Sequence, residues 1–403
     1  MVNHLPKEKK LSKGLIFLLA ASCGLIVANL YYAQPLVGMI RESLGISADL
    51  SGLVVTMTQL GYVIGLLFIV PLSDLMENRR LAVLTLGIAV CALLIAALTH
   101  QAAIFFSAAF LIGLGSVTAQ ILVPYAAYLS ADGEQGRTVG NVMSGLLLGI
   151  MFARPVSSFL SSLVDWQVIF LISAGVMLVI ILLLFRFLPK RIPTQTLSYA
   201  AIISSLWSLF KSTPILRRRA LYQACLFCSF SLFWTVAPMW LTQHFHLSQT
   251  GIALFALVGV GGAVASPIAG RLADKGWTEK LTVLAFIVAA ASFALTHAFQ
   301  SIPGLSLAVF CVAAVLLDMA VSGNLVLGQQ AIYSLGDQAR GRMNGVFMAV
   351  FFVGGALGSS VGGWIFAHGG WNAASIVGFA MPVLALLYFM TGKFSGKKAL
   401  RKS

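Results

Sequence analysis

Gly145-Leu-Leu-Leu-Gly149-Ile-Met-Phe-Ala-Arg154-Pro155 sets a full positive charge beside a proline inside an apolar run. The run covers 139–163, close to the ~20 residues that a helix needs to cross a bilayer. A cation at that depth costs about 3 kcal/mol or more unless it faces a polar cavity or a counter-charge. Arg154 is therefore a candidate functional residue, and the remainder of the chain has to supply its surroundings.

The composition agrees with a bilayer setting. Of 403 residues, 59% are hydrophobic and only 9% charged, where a soluble domain carries roughly a quarter charged. Mean hydropathy is +0.95. Charge-poor segments follow one another over 14–39, 50–72, 81–98, 101–129, 139–163, 168–185, 220–243, 247–270, 281–296, 302–332, 343–367 and 371–390. These twelve segments predict an all-α membrane protein with twelve transmembrane helices. The first segment is too long for a signal peptide and lacks a cleavage-site pattern. All five cysteines fall in apolar segments, which argues against a disulfide framework or a zinc site. Cys225 and Cys228 form a C-x-x-C, more simply read as two small core residues on one helix than as a redox pair. His244-Phe-His246 lacks a third ligand, and no metal site is expected.

The net charge of +14 raises nucleic acid as a partner, but the placement of the cations rejects it. Of 26 Lys and Arg, 24 lie in the N-terminal segment, the even-numbered connections and the C-terminal tail. The odd-numbered connections hold only Arg41, and the one cation left over is Arg154. The positive-inside rule then places both termini and every even connection in the cytoplasm.

The two halves also resemble each other. Gly61, Leu72 and Asp74 recur 200 residues later as Gly261, Leu272 and Asp274. Gly136, Arg137, Gly140, Met143, Gly149, Val156 and Trp166 recur 205 residues later as Gly341, Arg342, Gly345, Met348, Gly354, Val361 and Trp371. Two six-helix repeats joined by a long basic connection form a recognised transporter architecture. The expected units are an N-terminal segment 1–13, a first bundle 14–187, a linker 188–219 with a surface helix near 201–210, a second bundle 220–391 and a basic tail 392–403.

Polar residues inside the apolar segments are the site candidates. The first carries Asn29-Leu-Tyr31-Tyr32-Ala-Gln34-Pro35, either a cavity lining or an interfacial aromatic belt. Gln120 in the fourth is either a helix–helix hydrogen bond or a substrate contact. The seventh supplies Gln223 and Trp234, and the tenth Asn324. The tenth also holds Asp318, the one acid well inside any expected span. At 1.5 Å rise per residue Asp318 lies about 20 Å, and Arg154 about 15 Å, from the same face of the bilayer. An anion and a cation at similar depth suggest a proton-coupling pair, or a fixed ion pair between the halves. At the cytoplasmic ends, Asp74 precedes Arg79 and Arg80, and Arg271 and Asp274 repeat the theme. With Arg137 and Arg342, these are candidates for a gating latch.

Twelve segments, the repeat and the Asp74 and Asp274 loops make the whole chain resemble the major facilitator superfamily. That family's loop pattern, G-x-L-x-D-x-x-G-R-[KR], keeps its first glycine and aspartate as Gly270 and Asp274. In the first half Val70 and Glu77 stand where glycines are usual. The resemblance implies a conformational latch, with Asp74 near the cytoplasmic end of the eleventh helix. The Asn29–Pro35 opening, Pro124-Tyr125-Ala-Ala, Ser144–Gly149 and the Asp318 segment are similar to bacterial drug:proton antiporters and sugar-efflux permeases of mostly unassigned substrate. The antiporters' G-x-x-x-G-P keeps Gly145 and Gly149 but has Ile150 for proline, and their fourth-helix arginine is Ala109 here. Arg154 taking over that charge is read from the residues and is no part of the family pattern.

The expected function is alternating-access transport in a bacterial inner membrane: export of a small organic molecule or drug in exchange for protons, or proton-coupled uptake of an organic anion or sugar acid. The expected partners are that substrate, protons and lipid, with no nucleic acid, and the protein is expected to act as a monomer. No cofactor is expected beyond the proton gradient. A non-transporting receptor would call for an extramembrane domain that the sequence lacks. No nucleophile–base pair or phosphate loop supports an enzyme.

Overall fold

The computed structural model describes residues 12–130, 134–193, 198–299, 301–335 and 340–400. The cations Lys7, Lys9 and Lys10 of the N-terminal segment and Arg401 and Lys402 of the tail lie outside the described residues. The described chain is helical, with no strand among its elements.

Among the described residues, ten helices are long and apolar enough to cross a membrane. Two further features bring the number to twelve. The helix assigned over Arg340–Leu400 is two helices, broken at Gly370, whose φ of 60° is left-handed backbone that a side chain would strain. The first helix, expected to be continuous over 14–39, runs only from Lys13 to Ala28 and resumes as short pieces over Gln34–Leu36 and Val37–Ser43. Pro35 causes the interruption, because it offers no N–H to the preceding turn and its ring crowds that turn. At the other end, the Ser12 hydroxyl caps the helix by accepting from Leu15 N at 3.1 Å.

The other helices follow as Ala48–Asp74, Asn78–Leu98, Ala102–Leu129, Gln135–Leu160, Trp166–Phe187, Pro214–Phe245, Gln249–Asp274, Thr278–Leu295 and Pro303–Tyr333. The seventh starts at Pro214 rather than at 220, since proline suits the first turn of a helix. Arg217, Arg218 and Arg219 thus belong to the helix itself. The apolar part of this helix is 83% buried, well above the 33–56% of the other spans, so it runs through the middle of the protein.

The repeat is visible as one contact made twice. In the first half, a Cβ on Gly145 or Gly149 would lie 2.3 Å from Ala20 O or 2.0 Å from Gly24 O. In the second, a Cβ on Gly354 or Gly358 would lie 2.2 Å from Ala224 O or 2.1 Å from Cys228 O. The fifth helix lies backbone to backbone on the first, and the eleventh on the seventh, as small residues allow in a membrane. The Gly149–Gly24 contact corresponds to the Gly354–Ala224 contact, as the sequence offsets of 205 and 200 give.

The halves meet along the second and eleventh helices and along the fifth and eighth. Gly52 faces Ser359 so closely that a Cβ would sit 2.1 Å from its carbonyl oxygen. Thr56 Oγ1 and Ser359 Oγ share a hydrogen bond of 2.8 Å, and Gln59 Nε2 donates to Ser231 Oγ at 2.9 Å. Ser158 Oγ donates to Gln249 O at 2.8 Å. The Ser158 and Thr56 bonds lie toward the end of the bundle opposite Lys13, and the Gln59–Ser231 bond near mid-helix. The Tyr199–Ser212 helix of the linker spans the halves nearer the Lys13 end: Tyr199 Oη donates to Phe68 O at 2.8 Å, and Ser205 Oγ accepts from Arg342 Nη1 at 2.8 Å. Its Ile202 and Leu206 are buried while Trp207 is 70% exposed, the division expected of an amphipathic surface helix.

Candidate functional site

The break in the first helix is what builds the site. It turns Gln34 inward, where Arg154 Nε donates to Gln34 Oε1 at 2.6 Å. Arg154 is only 4% exposed. Three rings surround its guanidinium, with centroids 4.5 Å (Trp234), 4.8 Å (Phe230) and 5.2 Å (Tyr31) from Cζ. A desolvated cation over a ring gains about 2 kcal/mol, which answers the energetic question that the sequence raised. Trp234 then continues the chain of contacts, its Nε1 donating to Asp318 Oδ1 at 2.9 Å. Asp318 is 7% exposed.

Arg154 and Asp318 do come together, but through the indole of Trp234 rather than as an ion pair. Gln34, Arg154, Trp234 and Asp318 stand on the first, fifth, seventh and tenth helices, so the chain of contacts crosses from one half to the other. The eighth helix closes over the acid: a Cβ on Gly259 would lie 2.7 Å from Trp234 Cζ2 and 2.8 Å from Asp318 Oδ2. Two donors in this cluster have no partner among the described residues, Arg154 Nη2 and Gln34 Nε2, and both are buried.

The remaining candidates divide between this cluster and its supports. Asn324 Nδ2 donates to Gln223 Oε1 at 2.7 Å, and Gln223 Nε2 to Val321 O at 3.1 Å, tying the seventh helix to the tenth. Gln120 Nε2 donates to Tyr62 Oη at 3.1 Å, a helix–helix bond, and the Tyr62 ring lies 4.5 Å from Phe352 across the interface of the halves. Asn29 is held by the sixth helix, accepting from Ser173 Oγ at 2.5 Å, and its contacts are not with Arg154. Tyr32 is half-buried, and its backbone carbonyl accepts from Ser157 Oγ at 3.1 Å; its neighbour Tyr31 is the ring that faces Arg154.

At the Lys13 end, Asp74 lies within electrostatic reach of Arg191 and of Arg342, at the start of the eleventh helix. Arg79 turns away from Asp74. It lies 3.8 Å from Glu77 and donates to the carbonyls of Phe185 and Leu188, satisfying the end of the sixth helix. Asp274 accepts from Gln330 Nε2 at 2.6 Å. Arg80, Arg137 and Arg271 are exposed. Among the described residues no three His, Cys, Asp or Glu side chains gather into a metal site, and Cys225 and Cys228 are free thiols.

Comparison with known proteins decides the family. The model of the Major Facilitator Superfamily matches residues 16–299 and 219–402. The chain belongs to the major facilitator superfamily. It is 37% identical over 385 residues to the uncharacterized transporter YgaY of Escherichia coli O157:H7, covering 95% of this chain and 96% of that one. A probable transporter of Streptomyces coelicolor is 29% identical over 369 residues, covering 91% of this chain and 85% of its own. The crystal structure of a D-xylose-proton symporter shares the fold, with a TM-score of 0.73 at 16% identity over 94% of this chain and 97% of that one. The protein is therefore a multi-pass membrane protein of a transporter family, and its relatives are transporters.

Within that family frame, sequence reasoning noted Tyr31 only as part of the Asn29–Pro35 stretch and missed Phe230, the two rings that complete the box around Arg154, and it missed the Thr56–Ser359 and Gln59–Ser231 bonds between the halves. Aromatic residues on apolar helices carry no signal of their own. Thr56 and Gln59 did carry one: two hydrogen-bonding side chains three apart face the same way on a helix.

Proposed function

We propose that this chain is a proton-coupled secondary transporter of a small organic molecule, working by alternating access about a central site made of Gln34, Arg154, Trp234 and Asp318. One observation carries the reading. A buried cation and a buried acid, on helices of different halves, are linked through a single side chain, so moving the halves must rearrange the surroundings of both charges. Asp318 is the group that takes up and releases the proton. Arg154 answers its charge.

Two directions suit such a site. In export by exchange, substrate and proton compete for Asp318. In uptake with the proton, an anionic substrate uses Arg154 while Asp318 is protonated. The unpartnered donors of Arg154 and Gln34 favour the second. Asp74 with Arg342 forms the latch at the Lys13 end, and the Thr56–Ser359 and Ser158–Gln249 bonds form the opposing one. The membrane is the bacterial inner membrane, both termini are cytoplasmic, and the protein acts as a monomer.

The test is substrate-driven proton flux in proteoliposomes holding a pH-sensitive dye, scored over a compound panel. The expected result is flux that Asp318→Asn abolishes and Arg154→Gln strongly reduces. Unchanged proton flux in both variants overturns the reading.

A further inference from the structure

The two unpartnered donors belong to side chains bonded to each other, and that geometry points to a ligand. Nε and Nη2 form one edge of a guanidinium, and Oε1 and Nε2 form one edge of an amide. The bond between Arg154 Nε and Gln34 Oε1 joins those two groups. Arg154 Nη2 and Gln34 Nε2, on these two bonded side chains, are both buried and without an acceptor among the described residues. Gln34 is fully buried and Arg154 nearly so, and a buried donor left unpaired costs its desolvation. An oxygen that reaches both donors satisfies two groups at once, and a carboxylate also meets the charge.

The surroundings specify what the carboxylate is attached to. Phe227, Phe230 and Trp234 lie three and four apart on the seventh helix and therefore share a face. Phe227 is stacked on Phe351 at 3.8 Å and meets Phe352 at 5.3 Å, and Phe352 meets Tyr62 at 4.5 Å. An aromatic stripe thus runs along the interface of the halves to Arg154. A polyhydroxylated body beside it would leave hydroxyls unpaired, whereas a flat apolar one would not.

We infer that the site binds an organic monocarboxylate with an apolar, ring-containing body, its carboxylate held by Arg154 Nη2 and Gln34 Nε2 and its body against Tyr31, Phe230 and Trp234. This rests on the reading of the Arg154 cluster as the transport site and names the substrate class for it. Charge fixes the coupling. With Asp318 ionised the cluster is neutral overall; with Asp318 protonated it is positive and holds an anion. The other ionisable groups near it are Arg154 and Tyr31, and the helix packed over Asp318, Gln249–Val260, carries no charged side chain. Anion binding and protonation of Asp318 therefore favour one another, as linkage requires.

Binding to the purified full-length protein in detergent, followed by calorimetry, tests this with benzoate as the probe. Benzamide, benzylammonium, gluconate and chloride are the comparisons. Benzoate should bind about tenfold or more tightly than any of these. Its affinity should fall as pH rises from 5 to 8, with close to one proton taken up per benzoate. Arg154→Gln should abolish binding, Arg154→Lys should weaken it, and Asp318→Asn should keep it while removing the pH dependence. Equal binding of benzamide or benzylammonium overturns the inference. So does binding of chloride alone, or loss of benzoate binding in Asp318→Asn protein that melts like wild type. If Arg154→Gln fails to fold, the ligand series on the wild-type protein decides alone. Asp318-dependent proton flux with some other compound, alongside no benzoate binding, sinks the substrate class and leaves the transport reading standing.

Discussion

Arg154 and Asp318 are held apart and joined by the same indole: the Trp234 ring lies 4.5 Å from the guanidinium carbon, and its N–H donates to the carboxylate at 2.9 Å. A direct ion pair would have been locked by its own strength in a medium of low dielectric. An indole between the charges lets each change partner without stranding the other. Trp234 also sits on the most buried helix of the bundle, within reach of both halves.

Replacing Trp234 by phenylalanine separates these two roles. The ring over Arg154 is kept and the donor to Asp318 is lost. Removing one partner of a buried hydrogen bond costs about 1–3 kcal/mol, so the melting temperature in detergent should fall by a few degrees. Substrate-driven proton flux should fall about tenfold, by the usual conversion of roughly 1.4 kcal/mol per decade. Trp234→Leu removes both contacts and should cost more on each measure. Equal effects of the two substitutions would mean that the indole N–H contributes nothing.

Asp318→Asn keeps the shape of the side chain and removes the charge that protonation toggles. Substrate binding should persist, and exchange of substrate across the membrane at equal concentrations should persist with it. Accumulation driven by a pH gradient should vanish. The paired measurement is counterflow against gradient-driven uptake in the same vesicles. Loss of both would make Asp318 a structural residue and not the proton carrier.

Much of the fold was legible because membrane helices announce themselves by length and apolarity, and the cations of the connections give their sense. The first helix was not. Pro35 was visible, but whether a proline kinks a helix or ends it depends on the neighbours that take up the freed backbone groups. That break decides the site, since it brings Gln34 onto Arg154. Arg154, Gln34, Trp234 and Asp318 could be singled out as polar or aromatic residues in apolar runs, yet their connection through Trp234 could not, because a helix in lipid shows no apolar face from which to read its rotation. Asn29 and Gln120 were equally conspicuous and turn out to tie helices together. A polar residue at depth marks a need for a partner, and sequence does not say whether the partner is substrate or protein.

The repeated glycine contact makes a prediction about the fold alone. A Cβ on Gly149 would lie 2.0 Å from Gly24 O, and one on Gly358 would lie 2.1 Å from Cys228 O. Backbone cannot yield as a flexible side chain can, so Gly149→Ala and Gly358→Ala should each destabilise by about 1–3 kcal/mol as the helices are forced apart. Gly14→Ala, where a Cβ would meet nothing within 4 Å, serves as the control and should be close to neutral. Thermal unfolding in one detergent compares the three.

The bonds between the halves should set the balance between the two access states. Thr56 Oγ1 with Ser359 Oγ joins the second helix to the eleventh toward the end opposite Lys13, and Gln59 Nε2 with Ser231 Oγ joins it to the seventh near mid-helix. Each contributes about 0.5–1.5 kcal/mol net, so losing both shifts the equilibrium by roughly tenfold or more toward the state in which that end is open. The double substitution Thr56→Val with Gln59→Leu removes these donors and keeps similar volume. Hydrogen exchange over 51–59 and 355–363 should speed up, while exchange over 18–26 and 143–151, where the first and fifth helices pack within one half, should stay as in the wild type. Faster exchange in all four segments would indicate general loosening of the bundle, and unchanged exchange in the first two would show that these bonds do not hold that end closed.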